Sequence, residues 1–200
     1  MDEAIALPVV RAEPSWLARA RRGERDALER LARETLPYVQ RLLGRLLGPR
    51  ADLEDLVQNV YVELLRALPG FRGDSRLSTF VGGIVVRVAR RAMRPTAFER
   101  HRASWDAEPG DPAAGPDERV SAARRLARVR AALDRVGERK RVAFLLWALE
   151  GMSPEQIAEL TGASVAATRS RIFYAQRALL AAAREDPELA EWLVESERNP

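Results

Sequence analysis

The 200-residue chain is 46% hydrophobic and 31% charged, the composition of a soluble globular protein, and is long enough for one large domain or two small ones. No apolar run approaches the ~18 residues that cross a bilayer, so no membrane insertion is expected, and the lack of cysteine excludes disulfides and thiolate metal sites. A single histidine, His101, argues against an imidazole-based metal centre or a catalytic triad, and the net charge of +4 rests on arginine, since Lys140 is the only lysine.

The first fourteen residues are acidic and broken by Pro8 and Pro14, which reads as an N-terminal extension on an unprocessed, cytoplasmic chain. A first long helix is predicted from Asp26 and Glu29 as a capping box, with Leu28, Leu31, Val39, Leu42 and Leu46 on one apolar stripe that Gly48 and Pro49 end. A second begins near Asp52 and turns Leu53, Leu56, Val57, Val60, Leu64 and Leu68 inward before Pro69 and Gly70. The loop FRGDS follows at Phe71 to Ser75. A third helix is predicted from Leu77 to Met93, although Gly82 and Gly83 cost it about 2 kcal/mol relative to alanine. Their presence predicts that another helix approaches closely there.

Ala103 to Glu118 holds three prolines, two glycines and five acids with no basic residue, a linker composition that splits the chain into two helical halves. Beyond it, Leu126, Val129, Leu133 and Val136 mark a helix over Val120 to Val136. Val142, Leu145, Leu146 and Leu149 mark another over Arg139 to Glu150. The stretch Ser153 to Leu180 then reads as two short helices joined by a glycine turn. Ser153, Pro154 and Gln156 cap the first, Ile157 and Leu160 are its buried face, and Gly162 stops it. Ser164 caps the second, in which Thr168, Ile172, Ala175 and Leu179 face inward and Val165, Ala166, Arg169, Ser170 and Arg171 face outward. That is the pattern of a helix-turn-helix, whose outward residues meet base edges and phosphates, or of a plain helical hairpin. Glu185 to Pro200 forms an acidic tail of net charge −5. Nothing alternates with period two, so the fold class is all-α: two small helical domains joined by a flexible linker, the second containing the helix-turn-helix.

Two blocks concentrate positive charge. Arg76 to Arg102 holds seven arginines against Glu99, and Arg124 to Arg141 holds eight basic residues against Asp134 and Glu138. Each nets +6 and suits either a phosphate backbone or a solvated helix face. On the second predicted helix Asp52, Asp55 and Asn59 lie at i, i+3 and i+7 opposite the apolar stripe, an acidic face able to meet a basic partner or water.

Two helical modules, the first carrying DLEDLVQNVYVELLRAL and FRGDSRLSTF and the second ending in a helix-turn-helix, resemble the bacterial sigma factors of the sigma-70 family, extracytoplasmic-function type. The likeness covers roughly Trp16 to Ala183. It implies an N-terminal extension (1–14), a region 2-like domain (15–97), a linker (98–119), a region 4-like domain (120–184) and an acidic tail (185–200). It implies that Asp52, Asp55, Gln58 and Asn59 bind the clamp helices of the largest subunit of core RNA polymerase, with the flap of the second-largest subunit as a further contact. Asn59 stands where the family has a carboxylate. Phe71, Asp74, Ser75, Arg76, Phe80, Arg87, Arg90, Arg91 and Arg94 would capture and hold the opened minus-10 strand, which requires a base pocket, stacking surfaces and cations. Phe80 replaces the usual tryptophan and Arg87 the usual asparagine. Ser164, Val165, Ala166, Arg169, Ser170, Arg171 and Arg177 would read the minus-35 duplex. Ala167, Tyr174 and Gln176 depart from the family's polar and basic residues.

The function so implied is promoter-specific initiation with core RNA polymerase, on double- and single-stranded promoter DNA, under an anti-sigma factor, with no cofactor, metal or covalent catalysis. Two rivals are a stand-alone helix-turn-helix regulator and a polymerase-binding adaptor or decoy without promoter activity. An enzymatic site built on Asp52, Glu54, Asp55 and Glu63 is disfavoured, because neighbouring positions on a helix point in different directions.

Overall fold

The computed structural model describes residues 15–93, 128, 129 and 131–186, and all regular structure among them is helical. The N-terminal extension, the linker, His101, Arg94 and the tail beyond Asp186 lie outside the described residues. Two compact units make up the chain.

The first unit begins with a short helix that sequence periodicity did not reveal, α1 (Ser15–Arg21), whose Trp16, Leu17 and Ala20 are buried. Two turns are too few to display a 3.6-residue stripe. Gly23, at φ 84°, then reverses the chain into α2 (Arg25–Leu47). The capping box expected at Asp26 and Glu29 does not form: Glu24 holds the cap position and its side chain makes no cap bond. Arg19 takes the carboxylates of Glu24 and Asp26 instead, at 2.6 Å each, because the Gly23 turn folds α1 back beside the start of α2. Leu31, Val39, Leu42 and Leu46 are buried as expected, joined by Ala27 and Leu43, while Leu28 is half-buried.

Helix α3 (Leu53–Ala67) runs into a 3-10 turn at Leu68–Gly70, and α4 (Leu77–Ala92) follows the FRGDS loop. Helices α2, α3 and α4 pack on one another through Leu42, Leu46, Val60, Leu64, Ile84 and Val88, each at most 2% exposed. Burying a side chain of this size contributes about 2 kcal/mol. Polar groups also join α2 to α3. The buried Thr35 hydroxyl donates to the Leu31 carbonyl at 2.8 Å and lies 3.1 Å from the Tyr61 hydroxyl, which donates to the Ala32 carbonyl at 3.1 Å. Burial pushes the Tyr61 phenol above its ordinary pKa.

Of the paired glycines where a close approach is expected, Gly82 is the one that α2 meets. A β-carbon on Gly82 would stand 2.5 Å from the Tyr38 hydroxyl, which donates to the Ser78 carbonyl at 3.5 Å. A bare backbone there opens the notch that the tyrosine occupies.

In the second unit residues 128–129 and 131–134 are helical, with Val129, Ala132 and Leu133 buried. Helix α5 (Glu138–Glu150) buries the continuous run Val142 to Leu146 instead of a single stripe. Leu149, expected inside, is 40% exposed, because the middle of α5 is covered all round while its last turn is not. Gly151, at φ 60°, ends α5, and the Met152 N–H bonds the Leu146 carbonyl at 3.2 Å, a left-handed glycine stop.

The expected capping box forms at Ser153. Its Oγ accepts from the Gln156 N–H at 3.2 Å and its own N–H donates to Gln156 Oε1 at 2.8 Å, opening α6 (Pro154–Thr161). Gly162, at φ 63°, turns the chain, and Ser164 Oγ accepts from the Ala167 N–H at 3.2 Å to open α7 (Val165–Glu185). Thr168, Ile172, Ala175 and Leu179 are buried as expected, and α7 packs on α5. Ser153→Ala is expected to destabilise the second unit by about 1 kcal/mol, since the Gln156 N–H loses its acceptor. An unchanged urea midpoint for the full chain would remove the box from the stabilising contacts.

Candidate nucleic-acid and protein interfaces

The outward face of α3 carries the residues expected to meet a protein partner. Asp55, Gln58 and Asn59 are exposed there. Asp52 precedes the helix and is already engaged: Arg50 binds both of its carboxylate oxygens, one at 2.6 Å, and this guanidinium holds the carboxyl below its ordinary pKa. Asp55 is therefore the more available carboxylate of the two. The same face continues into Val62 and Leu65, 45% and 47% exposed, at i+7 and i+10 from Asp55. Sequence reasoning passed over both. Their signal was their position off the apolar stripe of Leu56, Val60 and Leu64, which leaves two aliphatic side chains facing water beside polar ones.

Between α3 and α4 the expected base-capture elements separate into a support and a rim. Phe71 is 6% exposed, with its ring centroid 4.7 Å from that of the half-buried Phe80. Phe71 is thus a core residue and not an open stacking surface, because Leu68 and the 3-10 turn hold it inward; its N–H bonds the Leu68 carbonyl at 3.0 Å. Asp74 is exposed and Ser75 half-exposed, next to Gly73 at φ 78°. Arg76 is exposed at the cap position of α4, Arg90 is half-buried, and Arg87 and Arg91 are exposed and both face Glu63 of α3. Arg94 lies outside the described residues.

On α7 the positions expected outward are exposed only in part. Ala166, Arg169, Ser170 and Arg177 are exposed, and Val165 and Arg171 are half-buried. Ser164 is committed to capping through its Oγ. Arg169 donates to Glu155 of α6 at 2.9 Å, an ion pair in which both side chains are more than half exposed. Glu155's carboxyl is held below its ordinary pKa, first by its own backbone N–H at the helix start, then by Ser153 and Arg169. Phe173, 52% exposed, follows Arg169 and Ser170 on the same face, and the Arg177 guanidinium lies 5.8 Å from its ring centroid. Phe173 was also missed, and its signal was an aromatic set one place off the Thr168–Ile172–Ala175–Leu179 stripe. Beside it Tyr174 is 51% exposed, with Lys140 Nζ 5.3 Å from its ring centroid.

Among the described residues no three histidine or acidic side chains converge as a metal site, and no helix is long and apolar enough to cross a membrane. The surfaces can bind proteins and phosphates through charge, stacking and groove contacts.

Residues 31–99 match the family model described as Sigma-70 region 2, and residues 126–179 match Sigma-70, region 4. The RNA polymerase sigma-H factor of Pseudomonas aeruginosa is 31% identical over 179 residues, covering 80% of this chain and 88% of that protein. The ECF RNA polymerase sigma-E factor of Escherichia coli K12 is 28% identical over 170 residues, with the same coverage of 80% and 88%. Among solved structures, the sigma factor RpoE of Bartonella quintana, in complex with the anti-sigma factor NepR, superposes with a TM-score of 0.56. It is 20% identical and covers 79% of this chain and 97% of that one.

Proposed function

The chain belongs to the sigma-70 family of bacterial RNA polymerase sigma factors, extracytoplasmic-function type, and on that premise we propose which of its surfaces does which part of the work. It directs promoter-specific transcription initiation by RNA polymerase. Asp55, Gln58 and Asn59, with Asp52 at the helix start and Val62 and Leu65 beside them, form the face that docks on the clamp helices of the largest polymerase subunit. Charge steers the encounter, and the two aliphatic side chains supply the apolar surface that becomes buried. The flap of the second-largest subunit meets the second domain.

At the minus-10 element, Asp74 and Ser75 at the FRGDS rim accept an unstacked base. Phe80, braced from behind by Phe71, offers the stacking surface, and Arg76, Arg87, Arg90, Arg91 and Arg94 hold the phosphates. At the minus-35 element α7 enters the major groove with Val165, Ala166, Arg169 and Ser170 toward base edges. Ser164, Arg171 and Arg177 lie toward the backbone, and Phe173 joins the same face. The chain performs no covalent chemistry; it lowers the free energy of the open complex by binding it, and nucleotide addition belongs to the polymerase. The boundaries 15–97, 98–119 and 120–184 give two promoter-reading domains on a connector that lets them reach separated elements. It acts in the cytoplasm, and an anti-sigma protein is its proposed regulator, as NepR is the partner of RpoE in the solved complex.

The observation that carries this reading is the co-occurrence, on one chain, of an exposed mixed face on α3 and a serine-capped α7 with outward arginines. A stand-alone regulator would have no use for the first, and a decoy none for the second. Run-off transcription on genomic fragments with purified core polymerase tests it: specific transcripts are expected only when the chain is added. Their absence with a folded chain would refute initiation activity.

A further inference from the structure

Two of the cations assigned to the opened strand already have an anionic neighbour. Glu63, on α3, accepts a hydrogen bond from Arg91, and its other carboxylate oxygen lies 3.9 Å from a guanidinium nitrogen of Arg87. The glutamate side chain is 20% exposed, while Arg87 and Arg91 are 63% and 57% exposed. One carboxylate thus stands against two guanidinium groups from another helix, and the trio presents +1 to an approaching strand, not +2. A phosphate arriving at α4 must compete with Glu63 for the same N–H donors, because charge-assisted bonds to carboxylate and to phosphate use the same fork of the guanidinium. The carboxylate is the more sheltered member of the trio, and the guanidinium heads are the more exposed.

We propose that Glu63 is a positioning residue that restrains Arg87 and Arg91 and lowers the sequence-independent affinity of α4 for single-stranded DNA. Strand capture then depends more on the base contacts at Asp74 and Ser75 than on charge. Phosphate attraction carries no sequence information, so reducing it raises the share of the binding free energy that discriminates between promoters. This inference rests on the minus-10 role proposed for α4 and adds the residue that sets its selectivity.

The test is binding of the full chain to a fluorescein-labelled oligothymidine of about twenty nucleotides, titrated at several salt concentrations. Glu63→Gln is expected to bind about fivefold tighter at about 0.1 M salt for each arginine released, with log K against log salt steeper by about 0.7 per arginine. Glu63→Ala, which removes the carboxylate without leaving an amide, is expected to match it. Unchanged or weaker binding by both variants overturns the proposal. The triple variant E63Q/R87Q/R91Q is expected to lose the gain, and a gain that survives there also overturns it, since its source would lie elsewhere. Run-off transcription by the wild-type chain is a separate readout, so failure of this inference and failure of the initiation reading are distinguishable.

Discussion

Asp55→Arg is expected to weaken binding to core RNA polymerase by about ten- to a hundredfold, the range for placing a like charge in an electrostatically matched interface. The side chain is exposed on the outer face of α3, on the side away from the buried Leu56, Val60 and Leu64, so the change leaves the core of the first unit untouched. Asp52 is the informative contrast. Its carboxylate is bound by Arg50 and contributes less free negative charge, so Asp52→Asn is expected to have the smaller effect on affinity. Competition binding against labelled core polymerase measures both, with thermal melting and duplex-DNA binding by the same full-length variants as controls. Polymerase affinity unchanged in Asp55→Arg would remove this residue from the interface.

Arg169→Ala is expected to reduce affinity for a promoter fragment by about 5- to 150-fold while changing affinity for random duplex much less, as removal of a bidentate hydrogen-bond donor to a base does. The residue sits one turn into α7, exposed, on the face shared with Ala166, Ser170 and Phe173. Its pairing with Glu155 does not remove it from DNA. Both partners are well exposed, pairs of this kind are weak, and the guanidinium has further N–H groups to offer. Arg177→Ala provides the comparison: without a cation to neutralise the phosphate there, binding to promoter and random duplex weakens alike and the salt slope falls by about one. Anisotropy titrations on a fragment recovered from run-off transcription and on a scrambled duplex separate the two. Equal losses on both duplexes for Arg169→Ala would reassign it to the backbone.

Much of the helix-turn-helix was legible because its signals are local. Ser153 and Gln156 read as a capping box, Gly162 as a stop and Ser164 as a cap, and those bonds and that positive φ are present. Each involves residues within a few positions of one another, so the spacing carries the information. The same local rule misled at Asp26, where Arg19 of α1 competes for the carboxylates, and at Leu149, where the burial pattern of α5 depends on what surrounds it. The mixed character of the α3 face and the outward Phe173 were written in the sequence as apolar side chains off the stripe. They acquire meaning only once the stripe is known to be buried.

Sequence alone determined the all-α class, most helix termini, and most of the inward stripes and of the outward residues of α7, because turn chemistry and a 3.6-residue period act over a few residues. Only the tertiary structure decided that Phe71 is buried against Phe80, that Tyr38 occupies the notch at Gly82, and that Glu63 faces Arg87 and Arg91. The Glu63–Arg91 contact joins side chains 28 positions apart. Which face of one helix meets which face of another follows from how all the buried stripes are satisfied together, and no local pattern encodes that choice.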